Sequence, residues 1–128
     1  MELKFYKCNH CANLLVPVAD SGVTPFCCGD KMQLLKAGAV DAAVEKHVPE
    51  IVKDSDGHHV NINVGSVEHP MAEDHYIQAI VLLSGDRYFV FNLEPGEAPK
   101  VRCSVNDNSS PLTAYAYCNL HGLWKADV

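Results

Sequence analysis

The sequence predicts an all-β protein in two unequal parts. Three observations carry that expectation. Short segments with strand character, separated by turn signals, fill the chain beyond residue 40. No stretch of convincing helical period appears. Four of the six cysteines crowd into residues 1–36, a piece too short to bury much apolar surface without a metal, disulfides or a partner. We therefore expect a small metal-bound N-terminal domain over 1–36, a short linker at Ala37-Gly38-Ala39, and a β-sandwich of immunoglobulin-like type over 40–128.

The strands can be read in order. Val44 to Val52 is a candidate interrupted at Pro49. His59-Val60-Asn61-Ile62-Asn63-Val64 alternates polar and apolar residues with period two, as a half-buried strand does. Ile77 to Leu83 is rich in branched residues, and Ser84-Gly85-Asp86-Arg87 then suits a tight hairpin into Tyr88 to Leu93. Val101 to Val105, Leu112 to Tyr117 and Gly122 to Ala126 complete about seven short strands. Asp56-Gly57, Pro95-Gly96 and Asn106-Asp107-Asn108 mark turns between them.

Composition narrows the function. The chain has 128 residues, 48% hydrophobic and 20% charged, which is a globular and not a disordered balance. Net charge is −6, which argues against a nucleic-acid surface. No apolar run approaches the roughly 18 residues that span a membrane. The opening Met1-Glu2-Leu3-Lys4-Phe5-Tyr6 lacks the pattern of a secretory signal, so a cytoplasmic location is expected. In a reducing compartment, cysteines in this number are better read as thiolate metal ligands than as disulfides.

Cys8-Asn9-His10-Cys11 and, further on, Cys27-Cys28 supply four sulfurs. A C-x-x-C turn lets two sulfurs face one ion, and four make a closed tetrahedral site that suits zinc or a single iron. Side chains of adjacent cysteines tend to diverge, so Cys27 and Cys28 can share an ion only if the backbone turns there, which Gly29 permits. Zinc, iron and disulfides all remain open on spacing alone. His10 is read as solvent-facing and not as a ligand.

A second set is spread along the sandwich: His47, His69, His75, Cys118 and His121. Singly, each histidine is an ordinary surface or core residue. Together they are four imidazoles and one thiolate. Zinc rarely takes five protein ligands, whereas iron accepts a square pyramid with a sixth position left for substrate. His58 and His59 are read as a solvated pair in a turn, and Cys103 as a buried free thiol.

These motifs resemble desulfoferrodoxin, the two-iron type of superoxide reductase, over nearly the whole chain. Cys8-x-x-Cys11 with Cys27-Cys28-Gly29 is similar to the family's desulforedoxin-like first iron centre. Glu45-Lys46-His47-Val48-Pro49, Gly65-Ser66-Val67-Glu68-His69-Pro70-Met71 and Cys118-Asn119-x-His121-Gly122-x-Trp124 are similar to the motifs of its catalytic iron centre. No metal-ligand position departs from the pattern. The resemblance implies two mononuclear irons per chain, a desulforedoxin-like N-terminal domain, an immunoglobulin-like catalytic domain and a homodimer. It implies equatorial ligands His47, His69, His75 and His121 and an axial thiolate from Cys118. By the same resemblance, Glu45 fills the sixth position in the oxidised state and Lys46 lies beside the open position. The implied reaction is one-electron reduction of superoxide to hydrogen peroxide, with rubredoxin or a similar carrier restoring the ferrous state. Two other readings stand beside it: a rubredoxin-like electron-transfer protein with an inert second metal, and a zinc-stabilised binding module. The charged pair Glu45-Lys46 beside His47 argues against both, since a structural site needs no flanking charge.

Overall fold

The computed structural model describes residues 2–128, and its contacts divide the chain between Lys36 and Ala37. Among the described residues, no helix is long and apolar enough to cross a membrane.

The first unit is built from two-residue strands. β1 (Tyr6–Lys7) pairs antiparallel with β2 (Leu14–Leu15) on one side; on the other it pairs with β5 (Gln33–Leu34), while β3 (Phe26–Cys27) and β4 (Asp30–Lys31) form a separate hairpin. One interior cluster gathers Tyr6, Cys8 and Met32, with Cys27 packed against them, and Phe5 is buried as well. Strands this short stabilise little by themselves.

The second unit is the seven-stranded sandwich. One sheet has the order β10 (Lys100–Ser104), β7 (His59–Val64), β6 (Pro49–Lys53); the other runs β12 (Gly122–Asp127), β11 (Leu112–Cys118), β8 (Ile77–Ser84), β9 (Arg87–Asn92). All ladders are antiparallel. β7 keeps the expected alternation, with Val60, Ile62 and Val64 buried against Ile80, Leu82, Leu112, Ala114 and Ala116 of the facing sheet. β8 and β11 are buried on both faces, which is why their sequences read as continuous apolar runs. The β8–β9 turn is Gly85-Asp86, with Gly85 at φ 63°, the pattern of a type II′ hairpin. Gly38 belongs to this unit, its N–H donating to the Leu123 carbonyl at 2.8 Å.

One expected strand is different. Val44–His47 is a single helical turn, α1, and extended structure begins only at Pro49. Two valines and the X-Pro step favour strand, but the turn satisfies a tertiary demand. It swings His47 inward, so that its Nδ1–H reaches back four residues to the Ala43 carbonyl at 2.7 Å. The turn is gripped from outside by the loop after β7. The Val67 N–H and the Ser66 hydroxyl both donate to the Glu45 carbonyl, at 3.0 and 3.3 Å, and the Gly65 N–H donates to the Val48 carbonyl at 3.1 Å.

Gly65 has φ 85°, and a Cβ there would lie 2.3 Å from the Val67 carbonyl oxygen and within 2.8 Å of those of Lys46 and Glu45. All three obstacles are backbone. We expect Gly65→Ala to cost roughly 3 kcal/mol in chemical denaturation, from the left-handed backbone and overpacking together. Gly57→Ala, where φ is 80° but the space is open, should cost only about 1 kcal/mol. Equal costs would show that α1 is not gripped as described.

Candidate metal centres

In the first unit the two cysteine motifs converge. Cys8, Cys11, Cys27 and Cys28 bring their sulfurs within 4.8 Å of one another. Cys11 Sγ lies 3.6 Å from Cys27 Sγ, and Cys27 Sγ 4.0 Å from Cys28 Sγ. Sulfurs at the corners of a tetrahedron with bonds of about 2.3 Å are about 3.8 Å apart, so the set fits one ion. The adjacent pair converges because Cys28 itself adopts φ 51°, followed by Gly29 at φ 78°. Left-handed backbone at a non-glycine residue costs about 1–2 kcal/mol, and a shared ion repays it.

The electrostatics of this set call for a cation. Backbone N–H groups of Cys11 and His10 donate to Cys8 Sγ, both at 3.4 Å, and pull its pKa down to about 6. Cys28, sharing protons with Cys11, Cys8 and Cys27, is pushed up to about 12. Four thiols this close cannot all ionise without a compensating positive charge. His10 is exposed and contributes no ligand atom, but it is not simply solvated: its Nε2 meets Asp30 Oδ2 at 2.6 Å. That contact ties the C-x-x-C turn to the β3–β4 turn.

In the sandwich, four imidazoles form a closed ring. His47 is a neighbour of His69 (ring centroids 4.6 Å apart) and of His121 (5.0 Å). His75 is a neighbour of His69 (4.7 Å) and of His121 (5.1 Å). His47 and His75 lie across the ring at 6.4 Å. Adjacent rings stand nearly perpendicular, at 76° to 84°. His47 Nε2 lies 3.2 Å from His69 Nε2 and 3.2 Å from His121 Nδ1. Cys118, fully buried, joins His47, His75 and His121 in a group whose donor atoms all lie within 4.8 Å.

The tautomers show why this ring suits a metal. A carbonyl only accepts, so Nδ1 of His47, on the Ala43 carbonyl, carries a hydrogen. So does Nδ1 of His69, on the Pro70 carbonyl at 2.7 Å. With both rings neutral, their Nε2 atoms face each other as two lone pairs, an arrangement that a cation between them satisfies. Burial pushes His69 down to about 4, so it offers no proton near neutral pH. His75 Nε2 is a buried nitrogen without any hydrogen-bond partner among the described residues. At a bond of about 2.1 Å, cis nitrogens in a square plane are about 3.0 Å apart, close to the observed spacing. Cys118 Sγ accepts from the His121 N–H at 3.4 Å and lies 4.0 Å from His121 Nδ1. Burial pushes this thiol up, while the backbone N–H groups of His121 and Leu120 pull it down.

Glu45 and Lys46 are exposed on α1, beside His47. The Lys46 charge is felt inside the ring: burial lowers the His75 pKa most, and His121, His47 and Lys46 add to it. Of the remaining candidates, Cys103 is buried and free. His59 pairs with Asp56, and His58 Nδ1 donates to the Asn106 carbonyl at 3.0 Å. Asp54 lies with Asp56 and His59, but Arg102 already holds it at 2.7 Å. Two residues that residue-type reasoning leaves without a role stand close to the ring. Trp124 packs on His47 at 4.9 Å and donates its indole N–H to the His121 carbonyl at 2.9 Å. Asn119 bonds the backbone on both sides of His75. Their only signal in the sequence is position within the Cys118–Trp124 motif.

Comparison with known proteins agrees with this geometry. The desulfoferrodoxin family model matches residues 39–127. Desulfoferrodoxin of Nitratidesulfovibrio vulgaris is 41% identical over 127 residues, 99% of this chain and 98% of that protein. Desulfoferrodoxin of Desulfarculus baarsii is 44% identical over 127 residues, 98% of this chain and 97% of that one. The crystal structure of the superoxide reductase from Treponema pallidum superposes with a TM-score of 0.78 at 32% identity, covering 98% of this chain and 99% of the other. With a family match over most of the sandwich and relatives alike from end to end, this chain belongs to the desulfoferrodoxin family.

Proposed function

We propose that this chain is a superoxide reductase with two irons. His47, His69, His75, His121 and Cys118 would hold the catalytic iron, and Cys8, Cys11, Cys27 and Cys28 would hold the other. The observation that carries this reading is the ring of inward-facing imidazole nitrogens with one buried thiolate. Five donors suit a square pyramid better than a zinc tetrahedron, which argues against the zinc-stabilised module. They also leave a position open, which a pure electron carrier does not need.

When bound, ferrous iron supplies one electron and an open coordination position; superoxide takes that electron and two protons to become hydrogen peroxide. The chain's own residues set the conditions. Four neutral imidazoles and one thiolate leave a ferrous site with a single positive charge, so it attracts an anion. Lys46 adds a second positive charge on a chain whose net charge is −6. Steering of this kind changes association rate more than affinity. The half-exposed His75 and His121 leave water access for proton delivery. Glu45 is a hard oxygen donor that prefers the ferric state, and its backbone is anchored by the loop after β7. Any approach of its carboxylate to the open position would fall to its side-chain torsions. We further propose a cytoplasmic homodimer that takes electrons from rubredoxin or a similar carrier; the six free cysteines are consistent with a reducing compartment.

The test is to mix pre-reduced protein with superoxide. One equivalent of catalytic iron should be oxidised and peroxide formed without dioxygen; dioxygen release in the stoichiometry of dismutation would overturn the reading.

Substitutions at four positions refine it. Cys28→Ser should remove the four-thiolate absorption and leave reduction of superoxide within about tenfold, about 1.4 kcal/mol in barrier. Cys118→Ser should do the reverse, abolishing the low-energy thiolate-to-ferric band and most of the activity. Lys46→Ala should slow the second-order reaction roughly tenfold, Lys46→Arg should restore most of it, and added salt should slow the wild type more than Lys46→Ala. Glu45→Ala should leave the reaction with superoxide nearly intact but raise the affinity of the oxidised protein for azide or cyanide; unchanged anion affinity would remove Glu45 from the site.

A further inference from the structure

The four histidines of the ring are not held in the same way. His47 and His69 are fixed through the ring itself, each Nδ1–H on a backbone carbonyl. That is the usual means by which a metal-binding imidazole is oriented. His121 and His75 have no such bond on the ring nitrogen that faces away from the centre, among the described residues. His121 is fixed through its backbone, by Trp124 on its carbonyl and by its own N–H on Cys118 Sγ. His75 has only the local Ala72–His75 bridge, with bonds of 3.0 and 3.1 Å inside its own loop. The start of that loop is tied to the sandwich by the Gly96 N–H on the Met71 carbonyl at 2.8 Å, which leaves the stretch around His75 to be fixed by other means.

Asn119 is placed to do so. The Tyr76 N–H donates to Asn119 Oδ1 at 2.9 Å, the Asn119 N–H donates to the Tyr76 carbonyl at 3.2 Å, and Asn119 Nδ2 donates to the Asp74 carbonyl at 3.0 Å. Both peptide neighbours of His75 are thus bonded to one residue, and that residue follows Cys118 directly. The arrangement arises from the ladder. β11 is in register with β8 from Leu112↔Ser84 to Tyr117↔Ala79, then skips a residue so that Cys118 faces Ile77. Past this bulge the chain turns off toward β12, and Tyr76 loses its strand partner. The Asn119 amide accepts the Tyr76 N–H that a strand carbonyl would otherwise have taken, and its NH2 group reaches past His75 to the Asp74 carbonyl.

We propose that Asn119 is a positioning residue of the catalytic centre. It holds His75 through Asp74 and Tyr76, and joins that residue to Cys118, its own chain neighbour. The proposal rests on the five-ligand reading of the centre given above. It predicts a graded series. Asn119→Asp keeps an acceptor for the Tyr76 N–H but loses the donor to Asp74; Asn119→Ala loses both side-chain bonds. Thr113→Ala serves as the control, because it removes a 2.6 Å bond to Asp127 at the far end of the same strand without touching the clamp.

The experiment uses the full-length protein with both irons bound, challenged with a chelator specific for ferrous iron, each centre being followed by its own absorption. Loss of an outer-shell partner typically weakens metal binding 10- to 100-fold. We expect Asn119→Ala to weaken retention at the catalytic centre by about that factor, Asn119→Asp by less, and Thr113→Ala not at all, with the four-cysteine centre unchanged throughout. The thiolate-to-ferric band should also move in Asn119→Ala and stay in place in Thr113→Ala. Equal retention and an unmoved band in Asn119→Ala would overturn the clamp while leaving the centre itself intact. Weakening at both centres alike would also overturn it, by showing a general loss of stability. A wild-type protein that binds iron only at the four cysteines would overturn the five-ligand reading and the clamp with it.

Discussion

Two imidazole nitrogens that both carry lone pairs, held 3.2 Å apart in a buried site, are the constraint on which the sandwich end of this molecule depends. With both rings neutral, a cation between them satisfies both. The Ala43 and Pro70 carbonyls enforce the arrangement by fixing the hydrogens on the outer nitrogens. Ala43 can do so for His47 only because the chain makes one helical turn before β6, and that turn is held by three hydrogen bonds from the loop after β7. A short helix in an all-β unit, a left-handed glycine and a pair of oriented histidines are therefore one connected solution to the problem of making four nitrogens converge.

The N-terminal centre solves a similar problem with different means. Adjacent cysteines point apart in extended chain, so convergence is achieved by strain at Cys28 instead of by long-range packing. The surroundings are exposed, apart from Cys8 and a few neighbours. The two centres thus differ in what supports them: a seven-stranded core for one, and local turns with a His10–Asp30 contact for the other.

Much of this was legible in the sequence. The period-two pattern of β7 and the Gly85-Asp86 turn follow from the pleat and from hairpin geometry. The four cysteines and the five-ligand set follow from donor chemistry and from resemblance to the family. What was not legible depends on contacts between distant segments. Val44–Val48 has the composition of a strand, and only the pull of the ring on His47 makes its first part helical. Burial on both faces of β8 and β11 leaves no alternation to read, so their partners could not be ordered from the sequence. The link between His10 and Asp30 joins residues twenty apart, and no local pattern announces it.

The small interior of the N-terminal unit has a consequence for the life of the protein in a cell. Among its buried apolar residues Phe5, Tyr6, Cys8 and Met32, Cys8 is a sulfur donor, and a second donor, Cys27, packs against the last three. Without an ion this unit loses its cross-link and much of its interior at once, as small metal-built domains do. Without the ion these 36 residues have little else to hold them, whereas the sandwich can collapse on its own apolar strands. Under iron shortage this unit would stay open to proteases while the sandwich remained folded. Turnover of the chain would then follow the iron supply at its N-terminal end.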